Sequence, residues 1–366
     1  MIKEKRSIKV LVVEDSPVVQ EFLVHVLSSD REIQVVGTAN NGEEAIESVK
    51  TRQPDVITMD IHMPKINGFD ATRRIMETFP TPIVIVSGSS TTNEVATTFH
   101  ALEAGALAVV TRPKGIGHPE HEANAAELLK TVKLMSEVKV VRRWARPAIR
   151  KGQRGPGDLV TTTVLQPDMR IGADVEVVAI GASTGGPVIL QTILSALPKD
   201  FAIPVLIVQH MASGFIQGFV EWLSGSSRLP VHVGAQGDRL LPGHAYVAPD
   251  GFHMGVEAPG RITLSKDDVE NGLQPSVSFL FRSVANVYGM RAVGVLLTGM
   301  GKDGVAELKL LKGSGAITIA QDKESSVVHG MPGEAIAVGA ATYVLTPERI
   351  VDALKSLAHH SSEDRK

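Results

Sequence analysis

Residues 8–17 read Ile8-Lys9-Val10-Leu11-Val12-Val13-Glu14-Asp15-Ser16-Pro17. An apolar, β-branched run of strand length stops on two acids, and a proline follows where a helix would start. This is one strand and the opening of one crossover helix. The same alternation continues down the chain, the pattern of βαβ units that build a parallel sheet. Further strands are expected at Gln34–Thr38, Asp55–Met59, Ile83–Val86 and Ala108–Val110. Helices are expected near Pro17–Ser28, Gly42–Thr51, Gly68–Phe79, Asn93–Ala104 and His118–Met135.

In a sheet of this kind, functional side chains gather beyond the C-terminal ends of the strands. The first strand ends in Glu14-Asp15, the third in Asp60 and the fourth in Ser87. The fifth runs into Thr111-Arg112-Pro113-Lys114. Carboxylates brought together on one edge repel, and a hard divalent cation such as Mg²⁺ resolves the conflict. The metal draws in a phosphoryl group, one carboxylate attacks it, and the cation and hydroxyl hold its oxygens. The plain alternative is that these acids are ordinary strand-end caps.

Outward from this unit the composition shifts. Lys139 to Arg154 holds seven Lys or Arg and no acid, with Pro147, Gly152, Gly155 and Pro156 close by. Residues 137–173 are expected to be a linker. It is either a solvated spacer or a basic segment in which Arg142, Arg143, Arg146 and Arg150 dock an acidic surface. Buried-type strands then resume at Val175–Ile180, Ile203–Val208, Ala292–Leu297 and Ala316–Ile319. Leu229–Leu264, broken by Gly, Pro and Asp, reads as a local antiparallel excursion. A last helix is expected near Pro347–Ala358, with 359–366 a disordered tail. The expected division is 1–136, a linker over 137–173, 174–358 and the tail.

The strand-end rule applies again in this second unit. Its strands lead into Gly181-Ala182-Ser183-Thr184-Gly185-Gly186-Pro187, Gln209-His210-Met211 and Thr298-Gly299-Met300-Gly301-Lys302-Asp303-Gly304. A Ser, a His and an Asp on one edge are the types a serine hydrolase needs: nucleophile, base and a carboxylate to orient the base. Small residues around Ser183 permit a sharp turn, and Pro187 suits a helix first turn, where backbone N–H groups stabilise an oxyanion. Other readings stay open. Ser183 and Asp303 can be helix caps, His210 can be structural, and Asp322 or Asp250 can replace Asp303. The Gly181–Gly186 loop alone can cradle a nucleotide phosphate, and a triad can be vestigial in a partner-binding module.

Composition narrows the field. The absence of Cys removes disulfides, thiol nucleophiles and Cys-ligated zinc. A formal net charge of -3 gives no argument for nucleic acid or membrane binding. The apolar run after Lys9 is too short for a signal peptide core or a membrane span, so a cytoplasmic protein is expected.

Ile8–Met135, with Asp60-x-x-Met63-Pro64 and Lys65-x-x-Gly68, resembles the response-regulator receiver family. The resemblance implies that Asp60 accepts phosphate from a histidine kinase. It also implies that Glu14 and Asp15, with Asp60, hold Mg²⁺ and that Ser87 senses the phosphate. Arg112 stands where the family usually has Lys, and a planar fork replaces a point ammonium. Val109 stands at the usual aromatic switch position. The loops around Ser183, His210 and Asp303, with His244-Ala245-Tyr246-Val247-Ala248-Pro249 and Val328-His329-Gly330-Met331-Pro332, resemble the chemotaxis protein-glutamate methylesterase (CheB) family. That resemblance implies nucleophile Ser183, base His210 and orienting Asp303, with Thr184 and Met300 lining the oxyanion site. It departs at Asn271-Gly272-Leu273-Gln274 and Ser278, where the family tends to carry a His/Arg-containing run and an acid. The two resemblances together imply a (βα)5 receiver domain joined to a doubly wound, mostly parallel α/β hydrolytic domain. The implied activity is hydrolysis of glutamyl methyl esters, and deamidation of glutamines, on methyl-accepting chemoreceptors without a cofactor for the hydrolysis.

Overall fold

The computed structural model describes residues 7–88, 92–140 and 175–363. The first unit comprises β1 (Ile8–Val13), α1 (Pro17–Ser28), β2 (Ile33–Ala39), α2 (Gly42–Arg52) and β3 (Val56–Met59). It continues with α3 (Gly68–Thr78), β4 (Ile83–Ser87), α4 (Thr92–Ala104), β5 (Ala108–Thr111) and α5 (His121–Ser136). Its five strands pair in parallel in the order β2-β1-β3-β4-β5. The order reverses between β1 and β3, so the ends of those two strands open a crevice. Their burial explains their composition: Val10 to Val13 and Val56 to Met59 are covered on both faces.

The linker expected over 137–173 lies, apart from 137–140, outside the described residues. The second unit begins with β6 (Val177–Ala182), α6 (Gly186–Ala196), β7 (Val205–Gln209), α7 (Ile216–Ser226), β8 (Val231–Val233) and β9 (Ala245–Val247). A hairpin, β10 (His253–Glu257) and β11 (Arg261–Ser265), leads to α8 (Val277–Tyr288) and β12 (Ala292–Leu296). The chain closes with α9 (Val305–Gly313), β13 (Ile317–Gln321), α10 (Met331–Ala337), β14 (Tyr343–Leu345) and α11 (Pro347–Glu363). Seven strands form one sheet in the order β14-β13-β12-β6-β7-β9-β8, every pair parallel. The chain works outward from β6 on one side and then returns to build β12 on the other. The switch therefore falls at β6.

Two expectations need correction, and one strand, β14, was not expected. The segment Leu229–Leu264 is not a single antiparallel excursion: β8 and β9 join the main sheet in parallel, and only β10 and β11 pair antiparallel. The edge strand β14 carries no apolar run long enough to announce itself. The tail expected from residue 359 begins inside α11, which continues to Glu363, since no Gly or Pro stops it.

The two units pack against each other through α4 and α7. Val95, Phe99 and Leu102 join Phe215, Phe219 and Trp222 in one apolar cluster. Phe99 stacks on Trp222 at 5.5 Å and tilts against Phe219 at 5.3 Å. Glu103 on α4 accepts from Gln191 Nε2 at 2.6 Å and Trp222 Nε1 at 3.1 Å.

Candidate active site

Strand β6 delivers Ser183 and β7 delivers His210, each one residue beyond the strand. Ala182 pairs with Gln209, and the His210 N–H donates to the Ala182 carbonyl at 2.9 Å. The nucleophile and base candidates therefore sit side by side at adjacent strand ends. The chain turns sharply at Ser183, with the Gly186 N–H donating to the Ser183 carbonyl at 2.8 Å before α6 starts. Pro187 occupies the first turn of that helix. From the other side, the Ser183 N–H donates to the Thr298 carbonyl at 3.0 Å. Gly299 permits this approach: a Cβ there would lie 2.6 Å from Ser183 Cβ and 2.5 Å from Met331 Sδ. Thr184 is tied to the same segment by Thr298 Oγ1, which donates to its carbonyl at 2.9 Å.

Of the three competing carboxylates, it is Asp303 that His210 meets, through Nε2 at 2.9 Å. Asp322 instead pairs with Ser325, and Asp250 accepts from the Gly214 N–H at 2.8 Å. Asp303 is 3 % exposed and lies at the N-terminus of α8. It accepts from Ser276 Oγ at 2.9 Å, the Val277 N–H at 2.6 Å and the Ser278 N–H at 3.1 Å. Burial alone would push this carboxyl up. The His210 ring, the Ser278 side chain and the Val277 N–H outweigh burial and hold it well below the usual carboxylate range. An ionised Asp303 only accepts, so Nε2 of His210 carries the proton of this hydrogen bond, and in the neutral ring Nδ1 is the acceptor.

Ser183, Thr184, His210, Met300 and Asp303 all line one cavity of about 480 Å³. The tight turn 270–273 supplies part of its wall, with positive φ at Asn271 and Gly272. Leu273 adds an apolar residue to this wall. The first unit supplies the facing wall, through Phe99 and Leu102 of α4, Leu107 to Val110 at β5, and Glu127, Lys130 and Thr131 of α5. Val109 is among them. The support that α8 gives to Asp303 was missed in the sequence. The pattern Ser276-Val277-Ser278 followed by an apolar helix was a visible cap signal. The Gly181–Gly186 loop is filled by the protein itself. A Cβ at Gly185 would strike Val327, and one at Gly186 would strike Gln209, so close packing within the protein accounts for glycine at both positions.

In the first unit, carboxylate oxygens of Glu14, Asp15 and Asp60 lie within 4.8 Å of one another. Burial and then the Asp60 charge push Glu14 up to about 7, against the Ser16 N–H and Arg112. Burial likewise raises Asp60, against the Ile61 N–H, His62 and Arg112. Glu14 Oε2 is buried without a hydrogen-bond partner among the described residues. A crowded, partly orphaned carboxylate set of this kind suits a hard divalent cation. Arg112 Nη1 reaches to 3.9 Å from Glu14 Oε2, whereas Lys114 is exposed. Ser87, at the end of β4, is 4 % exposed, with its Oγ 3.5 Å from Thr98 Oγ1.

The chain matches the CheB methylesterase family over residues 178–354 and the response regulator receiver domain family over residues 10–118. A protein of Nitrosospira multiformis named protein-glutamate methylesterase/protein-glutamine glutaminase is 60% identical over 358 residues, covering 98% of this chain and 99% of the relative. One of the same name, numbered 4, from Geobacter metallireducens is 57% identical over 352 residues, covering 96% and 99%. Among solved structures, the CheB methylesterase catalytic domain of Thermotoga maritima matches at 40% identity and a TM-score of 0.49, over 50% of this chain and 98% of its own.

Proposed function

The chain belongs to the protein-glutamate methylesterase/protein-glutamine glutaminase family of receiver-bearing ester hydrolases, and from that premise we propose that Ser183, His210 and Asp303 are its catalytic triad. The observation that carries this reading is the buried His210–Asp303 pair at 2.9 Å, set directly across the strand ends from Ser183. Ser183 Oγ attacks the carbonyl of a glutamyl methyl ester while Nδ1 of His210 takes its proton. The backbone around Thr184 and Met300 receives the developing oxyanion. His210 returns the proton to the departing methanol, and water activated by the same nitrogen releases the glutamate and restores Ser183. A glutamine follows the same route with ammonia leaving. The substrate proteins are methyl-accepting chemoreceptors.

Glu14, Asp15 and Asp60 would hold Mg²⁺, which when bound offsets their repulsion and draws in a phosphodonor. Asp60 is the phosphoacceptor for a chemotaxis histidine kinase, and Ser87 and Arg112 hold the added oxygens. The receiver face of α4, β5 and α5 walls the cavity beside Ser183, which supports regulation by occlusion. No helix among the described residues is long and apolar enough to cross a membrane. The proposed residue ranges are 1–136 for the receiver and 174–358 for the hydrolytic domain.

The test is methanol release from methylated chemoreceptor membranes, with and without a small phosphodonor. Ser183→Ala and His210→Ala are each expected to cost on the order of 10⁶-fold in turnover. Turnover by Ser183→Ala near that of the parent protein would end the triad reading.

A further inference from the structure

The side chain of Gln209, the last residue of β7, is 1 % exposed. Its Nε2 lies 2.8 Å from the Ser183 carbonyl oxygen and 2.8 Å from the His210 carbonyl oxygen. A primary amide carries two hydrogens, so each carbonyl takes one. The reverse orientation would press an amide oxygen against two carbonyl oxygens, so the hydrogen bonds dictate the assignment. The two carbonyls belong to the residues read above as nucleophile and base.

The sheet does not itself make this connection. The β6–β7 register ends at Ala182 and Gln209, with one further bond from the His210 N–H to the Ala182 carbonyl. Beyond that point the backbone at Ser183 turns into α6, and that at His210 leaves toward α7. Gln209 bridges them where the ladder stops. We propose that Gln209 is a positioning residue, which holds Ser183 and His210 in register past the end of the sheet. The proposal rests on the triad reading given above.

The bridge exhausts the amide nitrogen. Both of its hydrogens are engaged, so Gln209 has none left for an oxyanion, and it acts only through Ser183 and His210. Its Oε1 is buried without a hydrogen-bond partner among the described residues. A buried, unpartnered amide oxygen is unfavourable, and a methionine of similar size would avoid it. The position is therefore poorly explained as core filling. Gly186 completes the arrangement, since a Cβ there would lie 2.2 Å from Gln209 Oε1.

The experiment uses the full chain, methylated chemoreceptor membranes and a fluorophosphonate probe that counts reactive Ser183. Gln209→Met is expected to lower kcat per labelled site by about 100-fold, as misplaced reacting groups do. KM is expected to stay within about twofold of the parent value, because both amide hydrogens are already taken by the Ser183 and His210 carbonyls and none is offered to substrate. A merely structural role would lower the thermal midpoint and the labelled fraction but leave kcat per labelled site unchanged. Gly186→Ala pushes on the same amide through a Cβ 2.2 Å from its Oε1, and on Ala182 Cβ at 2.8 Å, and carries the test if Gln209→Met does not fold. It is expected to show the same loss, and the double variant to lose less than the product of the two. A kcat per labelled site within about threefold of the parent protein, in either variant, overturns the proposal. Ser183→Ala, run in parallel, separates the two ideas. Full turnover there defeats the triad and this proposal with it, whereas an inactive Ser183→Ala beside a fully active Gln209→Met defeats this proposal alone.

Discussion

Asp303 shows how a buried charge can set a neighbour's tautomer. Its carboxylate has 2 % side-chain exposure and is held by Ser276, two α8 backbone N–H groups and His210. In Asp303→Asn the Ser276 hydroxyl and the Ser278 N–H, which meet Oδ1, keep the amide oxygen on their side, and the –NH₂ takes the Oδ2 position that His210 Nε2 and the Val277 N–H share. The amide –NH₂ then faces Nε2 and forces the ring proton onto Nδ1, the nitrogen needed as base. A loss of roughly 10⁴-fold in kcat is expected, less than for Ser183→Ala. The same substitution tests linkage. A carboxyl whose folded pKa is depressed contributes stability that is complete above its unfolded value, about 3.9, and is lost as pH falls toward the folded value. The gap in thermal midpoint between parent and Asp303→Asn is expected to be flat above about pH 5 and to shrink below about pH 4. A gap that widens on acidification would show that Asp303 is not held ionised.

At the scale of elements, the strands that carry chemistry were readable because each is a continuous buried run that stops on polar residues. Glu14, Asp60, Ser183 and His210 could be placed at strand ends from that pattern alone. The elements that escaped were short or depended on distant partners. Three-residue strands such as β8, β9 and β14 hold too few side chains to show a period, and sheet membership decides their direction. The grip of α8 on Asp303 joins segments 25–27 residues apart, a pairing that no local pattern encodes. The α4–α7 contact was equally hidden, because it joins residues of two units far apart in the chain. One residue there is diagnostic: a Cβ on Gly218 would lie 2.6 Å from Val95 Cγ1 and 2.8 Å from the Ala96 backbone nitrogen. Gly218→Leu therefore drives a wedge between α7 and α4. Overpacking costs about 1–3 kcal/mol, which shifts the docked population by about 5- to 150-fold. Basal methanol release without a phosphodonor is expected to rise severalfold or more, and an unchanged basal rate would show that this contact does not restrain the enzyme.

In the whole molecule, one cavity is walled by both units, so the receiver cannot move without changing access to Ser183. Asp60, the proposed phosphoacceptor, lies just beyond β3, while the docked surface is α4, β5 and α5. Ser87 at the end of β4 and Thr111-Arg112 at the end of β5 lie between them, which gives a physical route from one to the other. A population shift of this kind has a definite genetic signature. Asp60→Asn alone keeps the docked state, so its basal turnover stays low and a phosphodonor no longer raises it. Gly218→Leu acts downstream of Asp60, on the docked contact itself. The double variant Asp60→Asn/Gly218→Leu is therefore expected to match the high basal rate of Gly218→Leu and to ignore the phosphodonor. A double variant as slow as Asp60→Asn would mean that undocking is not sufficient. Phosphorylation would then have to act on the hydrolytic unit through some contact other than α4 against α7.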